Sequence, residues 1–305
     1  ALAVGGGAER AKFSTMLVFV ALWTTLVYDP LAHWVWSPEG WLHRLGARDF
    51  GGGLAIHGAG GLAALCVATA LGRRRGTDAE VMQPHNLILT AVGTSLLWFA
   101  WLGLNAGRAW GVSAGALAAL PATLAAGAAG MAAWSLLEYA TTGKPTFLGA
   151  CTGVVSGLTA SAAGAGYVGP AAAAALGAVG ALACHVAILG KSRLGYDDPL
   201  DVFAVHGVGG LVGALGLGLL ADPALDDSVV GLLRGNAELA LAQLAAAAAV
   251  SAYTILATSA ILLLLARTMG LRVAAEDEDL GLDLALHGQR GYARGEGGRA
   301  GVSSH

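Results

Sequence analysis

The stretch HGAGGL at residues 57–62 occurs a second time as HGVGGL at residues 206–211. Five of the six positions are identical, and each copy lies inside an apolar run long enough to cross a membrane. The two runs are the second and the seventh of the chain, so they are expected to cross in opposite directions. This arrangement is typical of an inverted-topology repeat, in which the solute path lies where the two halves meet.

The rest of the chain is also mostly apolar. Of its 305 residues 56% are hydrophobic and only 12% are charged, which is about half of the roughly 25% found in soluble domains. Runs of about 20 apolar residues predict about eight membrane-spanning helices, at residues 11–32, 50–72, 86–106, 114–137, 147–164, 170–190, 200–221 and 237–266. The expected fold class is an all-α polytopic membrane protein.

The composition excludes several other classes of protein. A net charge of -3 provides no basic surface for a nucleic acid, and the apolar content argues against a disordered chain. The 3 cysteines lie in apolar runs without metal-ligand spacing and form no disulfide framework. We therefore expect no metal site, no cofactor and no nucleic-acid partner. The 47 glycines favour helices that pack closely within a bilayer.

Charged loop residues predict how the chain sits in the bilayer. Alternate loops carry most of the lysines and arginines, including the triplet at 73–75, and the positive-inside rule places those loops in the cytoplasm. With eight spans, both ends of the chain are then cytoplasmic. Residues 1–271 are expected to form the transmembrane domain. Residues 272–305, which include the acidic run at 276–279 and a Gly/Arg-rich end, are expected to form a cytoplasmic tail.

The repeated histidines are the main functional candidates, because ionisable residues inside a membrane are costly and usually functional. His57 and His206 could pass a proton by exchanging donor and acceptor roles. They could also hydrogen-bond a small polar solute in a narrow pore, or ligate a haem iron between two helices. The structural alternative, favoured for a single isolated histidine, is a core residue bonded to a neighbour.

Further motifs carry a resemblance to a known family. The chain resembles the ammonium transporter family (Amt/Mep/Rh), and the matching stretches occur in the family's order along nearly the whole chain. They are AER at 8–10, AHWVW at 32–36, DFGGG at 49–53, PHNL at 84–87, WLGLNAG at 101–107, GKP at 143–145, LGA at 148–150, DDPLDVF at 197–203 and GLRV at 270–273. The resemblance implies an eleven-helix inverted-repeat fold, of which this chain corresponds to spans four to eleven without the first three.

The resemblance also implies a function. It implies a transporter or channel that conducts ammonium as deprotonated ammonia through a hydrophobic pore past His57 and His206, with a proton relay along the two rings. Trp36 and Asp49 match the residues that recruit ammonium at the outer mouth. The alternative for Trp36 is a place in an interfacial aromatic belt. The alternative for Asp49 is a helix cap, and both roles are compatible.

Three further residues are assigned to the gate or the pore wall. Trp101 matches a pore-wall residue, although a packed core tryptophan is an equal interpretation. Leu104 stands where the family usually has a gating phenylalanine, and Arg108 stands where it commonly has a serine. Arg108 either faces the outer vestibule, where it weakens cation recruitment, or extends to the headgroups or an acidic partner, which is the favoured arrangement.

The acidic cluster of Asp197, Asp198 and Asp201 is interpreted as a structural helix start, because acids favour the positive end of the helix dipole. The resemblance places this cluster at the cytoplasmic end.

The resemblance further implies partners and a location. It implies a homotrimer in the cell membrane that transports ammonium or ammonia and is not an enzyme. Gly281-Leu282-Asp283 and His287-Gly288, followed by Tyr292, match the family's tail pattern, which makes the PII signal protein a candidate partner at the cytoplasmic face. Two functional alternatives stay open at this point: a membrane ammonium sensor with little flux, and a gas channel of the Rh type.

Overall fold

The computed structural model describes residues 1–76 and 84–289, and its architecture is helical. The α-helices are α1 (Leu2–Gly5), α2 (Phe13–Trp23), α3 (Asp29–Trp36), α4 (Trp41–Arg44), α5 (Ala59–Leu71), α6 (Leu87–Gly107), α7 (Ala114–Thr142), α8 (Phe147–Ala162), α9 (Pro170–Leu194), α10 (Gly209–Leu220), α11 (Glu238–Thr268), α12 (Ala275–Leu280) and α13 (Leu282–His287). Shorter turns are π-helical at Thr24–Tyr28, Gly53–Gly58 and Phe203–Val208 and 3-10 at Leu232–Arg234. The all-α prediction is confirmed.

The described residues contain 7 helical segments that are long and apolar enough to cross a membrane. They are Phe13–Arg44, Gly53–Leu71, Leu87–Gly107, Ala114–Thr142, Pro170–Lys191, Phe203–Leu220 and Glu238–Thr268. The predicted span at 147–164 corresponds to α8, which has only 16 residues. The helix is shorter than the usual spanning length of about 20 residues, but the antiparallel register of the two repeated motifs, described below, requires that α8 crosses as well. The protein is a multi-pass membrane protein, and the predicted segments all appear as helices.

The two copies of the repeated motif cross each other at their glycines. A Cβ atom on Gly61 would stand 2.1 Å from the backbone nitrogen of Gly207, and one on Gly210 would stand 2.3 Å from the carbonyl oxygen of Gly53. Late residues of one motif therefore contact early residues of the other, which is the register of antiparallel segments. Only glycine permits so close an approach of two backbones.

Helices α7, α8 and α9 form a second closely packed group. Helices α7 and α8 meet where a Cβ on Gly130 would lie 2.4 Å from the carbonyl oxygen of Gly153. Helix α9 packs on α7 in the same way, since a Cβ on Gly177 would lie 2.2 Å from the carbonyl oxygen of Ala126. In contrast, only 6% of the residues in the most apolar stretch of α6 are buried. This helix borders the repeated histidines on one side and exposes most of its apolar surface.

Candidate functional site

The two repeated histidines face each other in the interior. His57 lies in the π-helical turn Gly53–Gly58 and His206 in the turn Phe203–Val208. Their Nδ1 atoms are 3.2 Å apart and their ring centroids are 5.2 Å apart. At that distance one Nδ1 donates a hydrogen bond and the other accepts it, so two neutral rings must hold opposite tautomers. The pair can therefore share or exchange a proton.

The same distance does not fit a haem iron between the rings. An imidazole–metal bond is about 2.0 Å long, so two axial nitrogens on one metal stand about 4 Å apart. The facing Nδ1 atoms are closer than that, at 3.2 Å. The haem interpretation is therefore not supported by the geometry.

An apolar cavity of about 570 Å³ borders the histidine pair. Trp101 is buried and stacks on His57, with ring centroids 5.0 Å apart and planes 14° from parallel. Leu104 lines the same cavity and is 45% exposed. The Nε2 atom of His57 is buried without a hydrogen-bond partner among the described residues. A buried donor or acceptor without a partner favours a polar solute at that position.

Thr159 is a polar neighbour of the two histidines that was not among the residues predicted from the sequence. The hydroxyl of Thr159 on α8 lies 3.5 Å from Nδ1 of His206 and donates to the carbonyl oxygen of Val155. A threonine within an apolar helix has no distinguishing signal, because its hydroxyl usually bonds back to the preceding turn.

Each histidine follows an aspartate by eight residues, and both aspartates cap the turn that carries the histidine. Asp49 accepts from the backbone N–H groups of Gly52, Leu54 and Ala55 at 2.9–3.0 Å. Asp198 accepts from the N–H of Phe203 at 2.8 Å. These bonds satisfy donors that a helix start otherwise leaves free. The capping interpretation of Asp49 is therefore confirmed.

The environment of Asp49 is buried and polar. The side chain is 5% exposed. Burial raises the pKa of the Asp49 carboxyl, and the backbone N–H groups that it accepts from act in the opposite direction without cancelling the rise. A carboxyl with a raised pKa at the edge of a cavity is suited to accept and release a proton.

The acidic cluster lies at the start of the helical segment that carries His206, but its three carboxylates have different partners. Only Asp198 accepts from the start of the next turn. Asp197 turns away to pair with Arg74, and Asp201 pairs with Lys191 at 2.6 Å. Burial alone would raise the pKa of Asp197, but the hydrogen bonds and charge of Arg74 outweigh burial and lower it. The physical reason is that Arg74, which follows α5, and Lys191, in the last turn of α9, reach these two carboxylates, so neither side chain caps the next turn.

Arg10, within the AER stretch at 8–10, is buried completely. Its guanidinium donates to the carbonyl oxygens of Ala8, Gly72 and Asp197. It therefore joins three segments of the chain at the end of the molecule where α5 finishes. Because Glu9 and Lys12 flank it, the local sequence indicates an exposed charged stretch and gives no sign of this buried role.

The acidic run of the tail docks at this same end. Glu278 accepts from Arg272 at 2.9 Å and from the backbone of Arg75 at 2.8 Å, and Asp279 pairs with the side chain of Arg75. Further along, His287 contacts Phe13 edge to face. Residues 276–289 are thus held against the transmembrane helices. Tyr292 and the Gly/Arg-rich end lie outside the described residues.

A polar cavity of about 350 Å³ lies at the Asp49 end. Trp36, Asp49, Arg108, Tyr167 and Asp226 are among the residues that line it. The indole Nε1 of Trp36 donates to the carbonyl oxygen of Asp49 at 2.7 Å, which fixes the ring at the wall. The guanidinium carbon of Arg108 lies 4.6 Å from the centroid of that ring. Of the two arrangements considered for Arg108, the structure has the one facing the cavity, and the favoured one is wrong.

Comparison with known proteins identifies relatives of the whole described region. The model of the Ammonium Transporter Family matches residues 1–292. The chain is 46% identical over 297 residues to a putative ammonium transporter of Methanothermobacter thermautotrophicus, covering 96% of this chain and 72% of that relative.

Solved structures share the fold. The structure of Mep2 from Candida albicans superposes with a TM-score of 0.85 at 35% identity, over 90% of this chain and 63% of that one. A structure described as a sensor Amt protein gives a TM-score of 0.85 at 28% identity, over 94% of this chain and 73% of that one. The chain therefore spans under two thirds of the length of Mep2.

Proposed function

Because the chain belongs to the ammonium transporter family, we propose that it conducts ammonium as deprotonated ammonia past His57 and His206. The observation that carries the proposal is the 3.2 Å contact between the two Nδ1 atoms beside an apolar cavity. A bare ammonium ion loses its hydration in such a cavity at high cost, whereas neutral ammonia loses far less. The substrate therefore leaves its proton before it passes the rings.

The steps follow the cavities in order. Ammonium enters the outer cavity and meets the face of Trp36, since an aromatic face attracts a cation. Asp49, at the edge of that cavity, has a raised pKa and accepts the proton or passes it on. Ammonia then crosses the cavity lined by Trp101 and Leu104. The proton follows along the two imidazoles, which makes the net movement electrogenic.

The proposed activity agrees with the names of the relatives, which are ammonium transporters. The protein is therefore proposed to be a transporter and not an enzyme. Residues 1–271 form the transmembrane domain and 272–305 the cytoplasmic tail. The protein lies in the cell membrane with both ends of the chain in the cytoplasm and assembles as a homotrimer. The PII signal protein is the candidate partner at the inner mouth, where the tail docks.

A direct test measures ammonium-evoked current and labelled methylammonium uptake in a host that lacks its own transporters. The His57→Ala and His206→Ala double variant is expected to lose the current, because the relay is gone. A His33→Leu variant is the matched control, since His33 is exposed on α3 away from the pair. Full retention of the current in the double variant would refute the relay.

A second candidate function is an ammonium sensor with little flux. Two observations favour it: the similarity to the sensor Amt protein and the position of Arg108 over Trp36. The uptake assay separates the two functions. Ammonium binding without methylammonium uptake in the unaltered protein would support the sensor.

A further inference from the structure

Arg108 does more in the outer cavity than add a positive charge that repels ammonium, because it also lies on the face of Trp36. It follows the last residue of α6 and places its guanidinium carbon 4.6 Å from the centroid of the Trp36 ring. This is within the distance of about 6 Å at which a cation is attracted to an aromatic face. The arginine is therefore a bound cation on the surface that the proposed function reserves for ammonium.

Two features hold the guanidinium there. The carboxyl end of a helix attracts positive charge, and Arg108 stands at the end of α6. No carboxylate of the described residues lies within ion-pair distance to draw it away. Trp36 cannot turn aside easily, because its Nε1 is bonded to the carbonyl oxygen of Asp49 at 2.7 Å.

A second arginine in the same cavity differs in this respect. Arg48 also lines the cavity, but its guanidinium donates to the backbone carbonyl oxygens of His43 and Ala47 at 3.2 Å and 3.0 Å. Two permanent charges of the same sign thus share one cavity, and of these two guanidinium groups that of Arg108 lies over the aromatic ring. Arg48 can therefore serve as a control for the effect of removing a positive charge from the cavity without freeing the ring.

We propose that Arg108 is a tethered competitor that occupies the cation-binding face of Trp36 and must leave it before ammonium binds. The inference rests on the proposed function. One face of one ring holds one cation, so the guanidinium and ammonium exclude each other there. The cavity of about 350 Å³ leaves room for the side chain to swing off the ring. Arg108 therefore sets the ammonium concentration at which the outer site fills.

The experiment compares Arg108→Gln with Arg48→Gln. Arg108→Gln is expected to lower the KM for methylammonium uptake by about 2- to 5-fold with kcat unchanged, because an exposed cation–π contact has about that strength. Arg48→Gln removes the same charge from the same cavity without uncovering the Trp36 ring, so it is expected to lower the KM by less than Arg108→Gln does. An unchanged KM in Arg108→Gln, or an equal fall in both variants, would overturn the competition.

A double variant tests whether the ring is the shared site. In a Trp36→Leu background, Arg108→Gln is expected to have no further effect on the KM, since the face over which the two cations compete is gone. A fall of the same size in that background would show plain repulsion instead.

Binding to purified protein separates this proposal from the proposed function. Titration with methylammonium chloride, followed by tryptophan fluorescence or calorimetry, requires no transport. If no variant shows uptake but Arg108→Gln still binds methylammonium about 2- to 5-fold more tightly than the unaltered protein, transport fails and the competition stands. If uptake is normal and the affinities are equal, the competition fails and transport stands.

Discussion

The two copies of the repeat are alike in their backbone and unlike in their surroundings. In both, an aspartate caps a π-helical turn that carries a histidine, and a glycine-rich helix follows. The copy of Asp49 and His57 opens into a polar cavity in which Arg108 lies over Trp36. The copy of Asp198 and His206 is enclosed by ion pairs at the opposite end of the molecule.

This difference shows how one motif serves two ends of a path. The shared cap and turn bring both histidines together where the two backbones cross. The residues outside the motif make the difference: one end opens into a polar cavity, which the proposed function uses as the solute entrance, and the other is held by ion pairs. At the Asp198 end, Arg74 and Lys191 hold the neighbouring carboxylates, and Arg10 joins the same cluster.

The caps provide the strongest test of this comparison. Asp49→Ala is expected to lower the free energy of unfolding by about 3 kcal/mol or more, because three buried N–H groups lose their acceptor. Asp198→Ala is expected to cost only about 1–2 kcal/mol, near the value of an ordinary cap. Thermal unfolding of the purified variants in detergent measures the difference. Equal losses would contradict the unequal roles of the two caps.

Substitutions at Gly61 and Gly210 test the feature that the two copies share, which is the close crossing of their backbones. Gly61→Ala and Gly210→Ala are each expected to destabilise the protein by about 2–3 kcal/mol, at the upper end for overpacking, because the added Cβ meets backbone atoms. The two losses should be similar, since the contacts mirror each other. Gly103→Ala on α6 is the control, because a Cβ there meets no atom within 4 Å. A loss as large at Gly103 would show that the effect is not due to the crossing.

The ion pair of Arg74 and Asp197 tests the enclosed end. Asp197→Asn is expected to cost about 1–2 kcal/mol, reduced by partial exposure of the pair. Because its pKa is lowered in the folded state, Asp197 stabilises the protein above the unfolded value of about 3.9. That contribution disappears as the pH falls through the lower, folded value.

The free energy of unfolding, measured from neutral to acidic pH, tests whether Asp197 loses its stabilising effect as the pH falls. The asparagine variant should lose less stability on acidification than the unaltered protein. Parallel pH profiles would rule out a contribution from this carboxylate.

The tail contact is expected to have the smallest effect. Arg75 and Asp279 are 51% and 55% exposed, so Asp279→Asn should leave the unfolding free energy almost unchanged, most of all at high salt. Glu278→Gln is the matched comparison, since Glu278 is 5% exposed and bonds to Arg272. Glu278→Gln is expected to destabilise the protein more than Asp279→Asn, and the opposite order would contradict this prediction.

Much of the fold was predictable because the bilayer imposes a simple rule. The predicted spans all correspond to helices, since length and apolarity decide this in lipid. Their bounds were less predictable: the first predicted span ends at 32, whereas the helical segment continues through Trp36. A π-helical turn at Thr24–Tyr28 joins α2 to α3, and the helical structure continues to Trp36, two residues before the helix-stopping Pro38.

The candidate site was predictable as a set of residues but not as a set of contacts. Duplication singled out His57 and His206, and the structure places them in contact. The directions of Asp197, Asp201 and Arg108 were not predictable, because each depends on a side chain from a distant segment. Thr159 and Arg10 were missed for the same reason.

The sequence by itself determined a helical membrane protein, the duplicated histidine motif and the glycines that let two backbones cross. These properties follow from composition and short-range spacing, on which the lipid environment acts directly. Only the tertiary structure decided which charges pair, that Trp101 stacks on His57, and that Arg108 lies over Trp36. Such contacts join residues far apart in the chain, and their free energies depend on distances and burial that exist only after the helices pack.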